Sequence, residues 1–202
     1  MADLSRGERD FMKRQEARRR ARLRRLKRKR AMLVSAMALI LLLLIWGIVS
    51  VIRAVFFKEP VDPASIVTPD WIDVQLLDPN PYSRPGTPLE KINGIVVHYT
   101  ANPGTTAQQN RNYFNNLAKQ NGESATSVSS HFIIGLDGEI IQCIPLSEIS
   151  YASNDRNGDT VSIECCHPDS SGKFTDATYQ SLVRLSAWLE SQLDLRERSI
   201  IR

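Results

Sequence analysis

The hydrophobic and polar residues of this 202-residue chain form three regions with different patterns, and the first predicts a membrane helix. No charged residue lies between residues 31 and 52, and residues 39–46 are an unbroken apolar run. As a helix, residues 31–52 would span about 33 Å, enough to cross a hydrocarbon core of ~30 Å. A soluble helix of this length should have a polar face, and a signal peptide should have a shorter apolar region followed by a cleavage site. Neither is visible, so a transmembrane helix is predicted over residues 31–53.

The second region, residues 54–90, is rich in proline. Seven of the 10 prolines lie between residues 60 and 88. Because proline fixes φ and lacks a backbone donor, an extended linker with little regular structure is predicted. This linker either lifts the following domain off the membrane or wraps the domain surface with its later part. Four apolar residues hint at a short packed piece: Trp71, Ile72, Val74 and Leu76.

The third region, residues 91–202, alternates strand and helix patterns. Strands are predicted over residues 92–100, 131–134, 139–144 and 160–166, and a further strand begins at residues 199–202. Asp137-Gly138 is a strong hairpin signal between the second and third of these strands. Helices are predicted to run from Thr105 or Thr106 to about Gln120, and from Thr175 or Asp176 to about Leu193. The order β-α-β-β-β-α-β predicts an α/β domain with a mixed β-sheet and flanking helices.

The two predicted helices should each bury one side against this sheet. Tyr113, Phe114 and Leu117 are expected on the buried side of the first helix. The buried side of the second is expected to consist of four leucines: Leu182, Leu185, Leu189 and Leu193.

Charge is distributed very unevenly along the chain. The formal net charge is +4, but residues 1–30 contain 14 Lys+Arg and 4 Asp+Glu, a net of +10. The basic run over residues 18–30 adjoins the apolar segment, so the positive-inside rule places residues 1–30 in the cytoplasm and residues after about Phe57 outside. A basic arm can also bind nucleic acid. Its position beside the apolar segment is explained by topology and anionic lipid alone, so no nucleic-acid partner is expected.

Two residues near strand ends are candidates for chemistry. His98 ends the first strand of the domain and is either a hydrogen-bonded structural residue or a metal ligand. Glu164 lies between Ile163 and Cys165. If the strand is buried, burial would raise the pKa of Glu164 toward the range of a general base. If the strand is an edge, the carboxylate would point to water.

The remaining histidines and the three cysteines are less informative. His131 begins a hairpin strand and is either a supporting hydrogen-bond donor or a cleft residue, whereas His167 precedes Pro168 in a turn expected to be solvated. The cysteines lack C-x-x-C spacing, which argues against a zinc knuckle. They form either a disulfide from Cys143 to Cys165 or Cys166, or three buried thiols.

Three segments resemble a known enzyme family. Residues 93–104 (NGIVVHYTANPG), 129–145 (SSHFIIGLDGEIIQCIP) and 160–167 (TVSIECCH) are similar to the zinc-dependent N-acetylmuramoyl-L-alanine amidases. This amidase-2 group is related to peptidoglycan recognition proteins, and the resemblance covers roughly residues 70–202. It implies a Zn²⁺ enzyme that hydrolyses the amide between N-acetylmuramic acid and L-alanine in bacterial peptidoglycan. The membrane anchor would place it at the cell wall.

The resemblance also implies roles for individual residues. His98 matches the first zinc ligand and Glu164 the catalytic glutamate, while neither His131 nor His167 matches the other two ligands. Those two ligands, a His and then a Cys or Asp, are expected beyond Arg202, so the chain reads as truncated at its C-terminus. Three ligands leave a fourth position for a water with a pKa of ~7. With His98 alone, the 202-residue chain is expected to be inactive.

Substrate contacts are expected within the same cleft. The candidate substrate-binding residues are Tyr99, Asn102, His131 and Asn154. The alternative to an enzyme is a non-catalytic, membrane-anchored peptidoglycan-binding module, whose cleft would hold a stem peptide without zinc.

Overall fold

The computed structural model describes residues 6–56, 61–120 and 125–201. The chain divides into two compact units, Met1–Glu59 and Pro60–Arg202. In the first unit, helix α1 (Arg6–Phe56) runs without interruption from the basic arm through the apolar segment. Part of it, Lys13–Arg53, is long and apolar enough to cross a membrane and is not buried. A transmembrane helix therefore remains a candidate on length and composition.

The second unit is built on a six-stranded mixed sheet. The strands are β1 (Asp73–Val74), β2 (Gly94–Tyr99), β3 (Phe132–Ile134), β4 (Ile140–Gln142), β5 (Thr160–Cys165) and β6 (Ile200–Ile201). Their spatial order is β1-β4-β3-β5-β2-β6, and β3 and β4 form the antiparallel pair within it. The predicted α/β fold with a mixed sheet is confirmed, with the short strand β1 added before the predicted elements.

Two helices pack on the sheet, one on each face. Helix α3 (Asp176–Leu193) packs with Val161, Ile163 and Cys165 of β5 in the larger core cluster. Helix α2 (Ala107–Asn116) packs on Ile133 of β3 in a second cluster. Because side chains alternate along a strand, residues 162 and 164 of β5 face the α2 side.

The helix starts follow from their capping residues. The Thr106 hydroxyl accepts the Gln109 backbone N–H at 3.2 Å, and the Gln109 side chain accepts the Thr106 N–H at 2.9 Å, which is a capping box. Helix α3 has a one-way cap, in which the Thr175 hydroxyl accepts the Thr178 backbone N–H at 3.0 Å. Helix α2 ends earlier than predicted, at Asn116, and a 3₁₀ turn follows.

One predicted core position in α2 is wrong. Phe114 and Leu117 are buried, but Tyr113 is 52% exposed. Residues 110, 114 and 117 lie at helical spacing on the sheet side, and Tyr113 is rotated away from that side. In α3 the predicted leucines Leu185, Leu189 and Leu193 are buried, and Leu182 is partly buried.

Two glycines make the backbone geometry possible. Gly138 in the β3–β4 turn has φ +84°, and the predicted Asp137-Gly138 hairpin is present. Gly94 lies where β6 approaches β2, and a Cβ there would stand 2.8 Å from the carbonyl oxygen of Ser199. The close approach of the last strand to β2 therefore requires a residue without a side chain at position 94.

The proline-rich segment packs against the domain from residue 61 onward. Gln75 N–H donates to the Gln142 carbonyl at 3.0 Å, and Leu77 N–H donates to the Cys143 carbonyl at 2.9 Å. Leu77 and Leu89 are each 1% exposed. Two arrangements were predicted for this segment, and the structure shows the second, in which the later part wraps the domain surface. The compact unit Pro60–Arg202 therefore includes this segment, because the residues between the prolines still supply donors and apolar side chains.

The three cysteines are free thiols buried in the domain. Cys143, Cys165 and Cys166 are each 0% exposed. This is the second of the two predicted arrangements. Burial raises the pKa of Cys143 to about 12 and of Cys166 to about 11, so these thiols are protonated and unreactive at neutral pH.

Candidate functional site

His98 and Glu164 are neighbours in the centre of the sheet. β2 and β5 pair in parallel, and the register places His98 beside Glu164. Registered partners on adjacent strands point to the same face, so both side chains lie on the α2 side. The pair stands near the carboxyl ends of the two strands, where loops commonly form a ligand cleft in α/β sheets.

Glu164 is a buried carboxyl group with an unused oxygen. It lies on β5 between Ile133 of β3 and His98 of β2, which excludes the predicted edge-strand alternative. Its Oε2 atom is buried and has no hydrogen-bond partner. Burial raises the pKa of Glu164 to about 7. Near neutral pH the group therefore exchanges a proton readily, which general acid–base catalysis requires.

His98 is a partly buried, neutral imidazole. Its Nε2 atom is 3.3 Å from the Ser153 hydroxyl oxygen. Burial lowers the pKa of His98 below its ordinary value, which favours the uncharged ring at neutral pH. A neutral ring nitrogen is the form that ligates metals.

A cavity of about 310 Å³ opens beside Glu164. Its polar lining residues come from the loop after β2, from α2 and from β5. Its aromatic and apolar lining residues come from α2 and from the loop before β3. The lining residues are Thr100, Asn102, Asn110, Tyr113, Phe114, Val128 and Glu164. The Thr100 hydroxyl is a second buried atom without a hydrogen-bond partner. Two of the residues that line this cavity therefore carry an unsatisfied polar atom.

The candidate substrate-binding residues are distributed around this cavity in different ways. Asn102 lines it. Asn154 is exposed and follows Ser153, which contacts His98. Tyr99 lies on the opposite face of β2 from His98, and its ring centroid is 5.3 Å from that of His167. The cavity therefore contains one of the four.

His131 is a buried structural residue, and its predicted role as a cleft residue needs correction. It is 0% exposed. Its Nδ1 accepts the Ser162 backbone N–H at 3.1 Å, and its Nε2 donates to the Glu148 carbonyl at 2.9 Å. With both nitrogens occupied, the ring links β5 to the loop after β4 and is not available to a substrate. Burial lowers the pKa of His131 to about 4.

His167 is also buried, contrary to the predicted solvated turn. It is 2% exposed, and its Nδ1 donates to the Asp169 carbonyl at 2.6 Å. The Tyr99 ring packs edge-on against it. The turn brings the His167 imidazole against the Tyr99 ring, and the local sequence does not reveal this contact.

The described residues do not complete a metal site. Within residues 6–56, 61–120 and 125–201, no three His, Cys, Asp or Glu side chains form a group that could hold a metal ion. His98 is one candidate ligand, and Glu164 beside it has the burial of a proton-transfer group. The described residues therefore do not fit a three-ligand zinc site.

Several site residues were not predicted from the sequence. Thr100 follows His98 by two residues and shares its side of the strand, so period-two alternation could have identified it. Tyr113 and Asn110 line the cavity from α2, and Ser153 reaches His98 across 55 residues of chain. These contacts depend on tertiary packing and have no local signal.

Residues 88–202 match the family model Amidase_2, described as N-acetylmuramoyl-L-alanine amidase. The N-acetylmuramoyl-L-alanine amidase CwlL of Bacillus licheniformis is 31% identical over 135 residues, covering 61% of this chain and 36% of CwlL. The chain spans about a third or less of the length of the curated relatives that it matches.

Solved structures agree with this match. The PlyG catalytic domain is 26% identical to this chain, with a TM-score of 0.51. The match covers 64% of this chain and 76% of the PlyG chain. Drosophila peptidoglycan recognition protein SD is 15% identical over 64% of this chain and 82% of its own, also with a TM-score of 0.51. At that identity the latter likeness concerns the fold alone.

Proposed function

Because this chain belongs to the Amidase_2 family of N-acetylmuramoyl-L-alanine amidases, we propose that it acts on peptidoglycan. The reaction is hydrolysis of the amide that joins the lactyl group of N-acetylmuramic acid to L-alanine of the stem peptide. One observation carries this proposal within the chain itself. The Glu164 carboxyl group, whose Oε2 is buried and unpaired, lines a cavity and stands beside His98.

Glu164 is proposed to move the proton that the hydrolysis requires. Its carboxylate takes a proton from the water that attacks the amide carbon, as the new C–O bond forms. The same group then gives the proton to the nitrogen as the C–N bond breaks, so that L-alanine leaves as an amine. A pKa of about 7 suits both halves of this cycle.

Zinc binding is part of this proposal, with His98 as one ligand; a three-ligand site needs two more, which the described residues do not supply. The support is the register of the last strand. β6 runs parallel to β2, and Ile201 lies beside Val96, two residues before His98. A chain that continued in this register would pass His98 directly. The described residues supply His98 alone, so zinc binding by the 202-residue chain should be weak.

We therefore expect the 202-residue chain to show negligible amide hydrolysis. The experiment compares it with a chimaera in which the chain after Ile201 is the part of CwlL that follows the aligned position. Each protein is incubated with muramoyl dipeptide and zinc, and the released alanyl peptide is measured by mass spectrometry. Turnover by the chimaera but not by the 202-residue chain is the expected result.

A His98→Ala chimaera provides the matched control and should be inactive. Turnover by the 202-residue chain itself at the rate of the chimaera would contradict the need for two ligands that the described residues lack. Inactivity of every chimaera towards muramoyl dipeptide, despite folding and zinc uptake, would contradict the proposed reaction.

The second candidate function is a peptidoglycan-binding module without catalysis. It is favoured by the single candidate ligand among the described residues. A binding module would hold muramoyl dipeptide equally well with and without a chelator. An enzyme that uses zinc should lose turnover when the chelator is added.

Helix α1 is proposed to anchor the protein in the bacterial cell membrane, with residues 1–30 in the cytoplasm and the domain outside. The support is the length of the apolar segment and the basic run on its N-terminal side. Protease added to intact spheroplasts should digest the domain and leave an epitope at the N-terminus protected. Protection of the domain under these conditions would reverse the proposed orientation.

A further inference from the structure

Thr100 has a buried hydroxyl group that the free protein does not use. The residue follows β2, and its backbone N–H donates to the Cys165 carbonyl at 3.0 Å, which holds it in line with the strand. Its Oγ1 atom is buried and has no hydrogen-bond partner. A buried hydroxyl without a partner lowers stability, because it has lost its bonds to water. A ligand that bonded to this atom would remove the cost.

The surroundings of Thr100 indicate the chemistry of that ligand. Glu164 lines the same cavity, and its Oε2 atom is likewise buried without a partner, so it is not bonded to the Thr100 hydroxyl. The two groups together can donate to a carbonyl oxygen and accept from an N–H. A peptide group carries one of each. The apolar part of the cavity lining, Tyr113, Phe114 and Val128, suits apolar side chains and not a charged ligand.

We propose that the Thr100 hydroxyl binds a peptide carbonyl oxygen of the stem peptide, which makes Thr100 a substrate-binding residue. This inference rests on the proposed function, since the stem peptide is part of that substrate. The hydroxyl contacts the peptide and not the bond that breaks, so its contribution is the same in the ground state and the transition state. Its loss should raise KM and leave kcat nearly unchanged.

The test uses the whole 202-residue chain in detergent, with muramoyl dipeptide as the probe and a chelator present to prevent hydrolysis. Thr100→Val keeps the shape of the side chain and removes the hydroxyl, while Thr100→Ser keeps the hydroxyl. By calorimetry, the valine variant should bind the probe roughly tenfold more weakly than the wild type. The serine variant should bind within about threefold of the wild type.

Thr68→Val is the matched control. The Thr68 hydroxyl donates to Gln142 Oε1 at 2.7 Å, and both residues line a different cavity. Its removal should lower the melting temperature by a few degrees and leave the affinity unchanged. Thr100→Val breaks no internal hydrogen bond, so its melting temperature should equal or exceed that of the wild type. Thr100→Val should therefore lower the affinity and not the stability, whereas Thr68→Val should lower the stability and not the affinity.

Two results would overturn the inference about Thr100 and leave the proposed function untouched. One is wild-type affinity in Thr100→Val. The other is a loss of stability in that variant as large as in Thr68→Val, which would mean that the hydroxyl has a partner within the protein. If the wild type itself does not bind muramoyl dipeptide, then the proposed function fails, and the inference fails with it.

Discussion

The Glu164→Gln substitution is expected to lower amide hydrolysis by a factor of about 10² to 10⁴, the usual contribution of a general acid–base group. Glutamine keeps the size of the side chain but can neither take nor return a proton. The measurement is kcat for muramoyl dipeptide in the chimaera that completes the site. Glu90→Gln is the control, since Glu90 is an exposed carboxylate elsewhere on the same domain. Near-normal kcat in Glu164→Gln would remove this residue from the mechanism.

The same substitution should stabilise the protein at alkaline pH. The folded-state pKa of Glu164, about 7, lies above its ordinary value of 4.5. Folded wild type therefore holds its proton more tightly than the unfolded chain, and loses stability as the pH rises from about 4.5 through 7. The glutamine variant has no such loss, and its free energy of unfolding at pH 8 should exceed that of the wild type by about 3 kcal/mol. The difference should shrink towards pH 4.

Urea unfolding followed by the fluorescence of Trp71 and Trp188 measures this difference, because both residues pack in the domain. A difference that stays constant between pH 4 and pH 8 would show that the Glu164 carboxyl group is not desolvated. Increased stability together with lost activity would mark a residue retained for function and not for folding.

His131 should produce the opposite pH dependence. Its folded-state pKa, about 4, lies below its ordinary value of 6.5, because the buried ring cannot easily become charged. The unfolded chain binds the proton first, so stability is complete above pH 6.5 and is lost as the pH falls towards 4. Over this range the loss amounts to about 3 kcal/mol. In the wild type this loss of stability overlaps the pH-dependent stability change from Glu164, which has the opposite sign.

The Glu164→Gln background therefore isolates the effect of His131. In that variant the free energy of unfolding should fall steeply between pH 7 and pH 4. Adding His131→Gln should reduce the slope to the smaller part that comes from His98, whose pKa burial also lowers, and should lower stability at pH 7, since the bonds to Ser162 and Glu148 are lost. Measurements stop at pH 4, because Arg156 holds the pKa of Asp159 below its ordinary value, 3.8, and that carboxylate contributes at lower pH. An equal slope in the single and double variants would exclude His131 as its source.

Much of the fold could be predicted because its signals are local. Thr106 and Thr175 cap their helices through bonds to residues three positions away, and Asp137-Gly138 closes a hairpin of adjacent strands. Apolar runs identify the buried strands in the same way. The extent of the domain was less predictable. Proline content suggests a linker, yet Leu77 and Leu89 are buried through contacts with residues more than 50 positions away.

For this protein, the sequence alone determined the element order, the apolar anchor candidate, and His98 and Glu164 as the candidates for chemistry. Those features depend on residue type and short-range spacing, which are visible in the chain. Tertiary structure decided that β5 is central and that Glu164 is therefore desolvated beside His98. It also decided that His131 and His167 are buried, and that the Thr100 hydroxyl is buried without a hydrogen-bond partner. Burial and hydrogen bonding depend on which distant segments meet, and that is settled only when the strands pair and the helices pack on them.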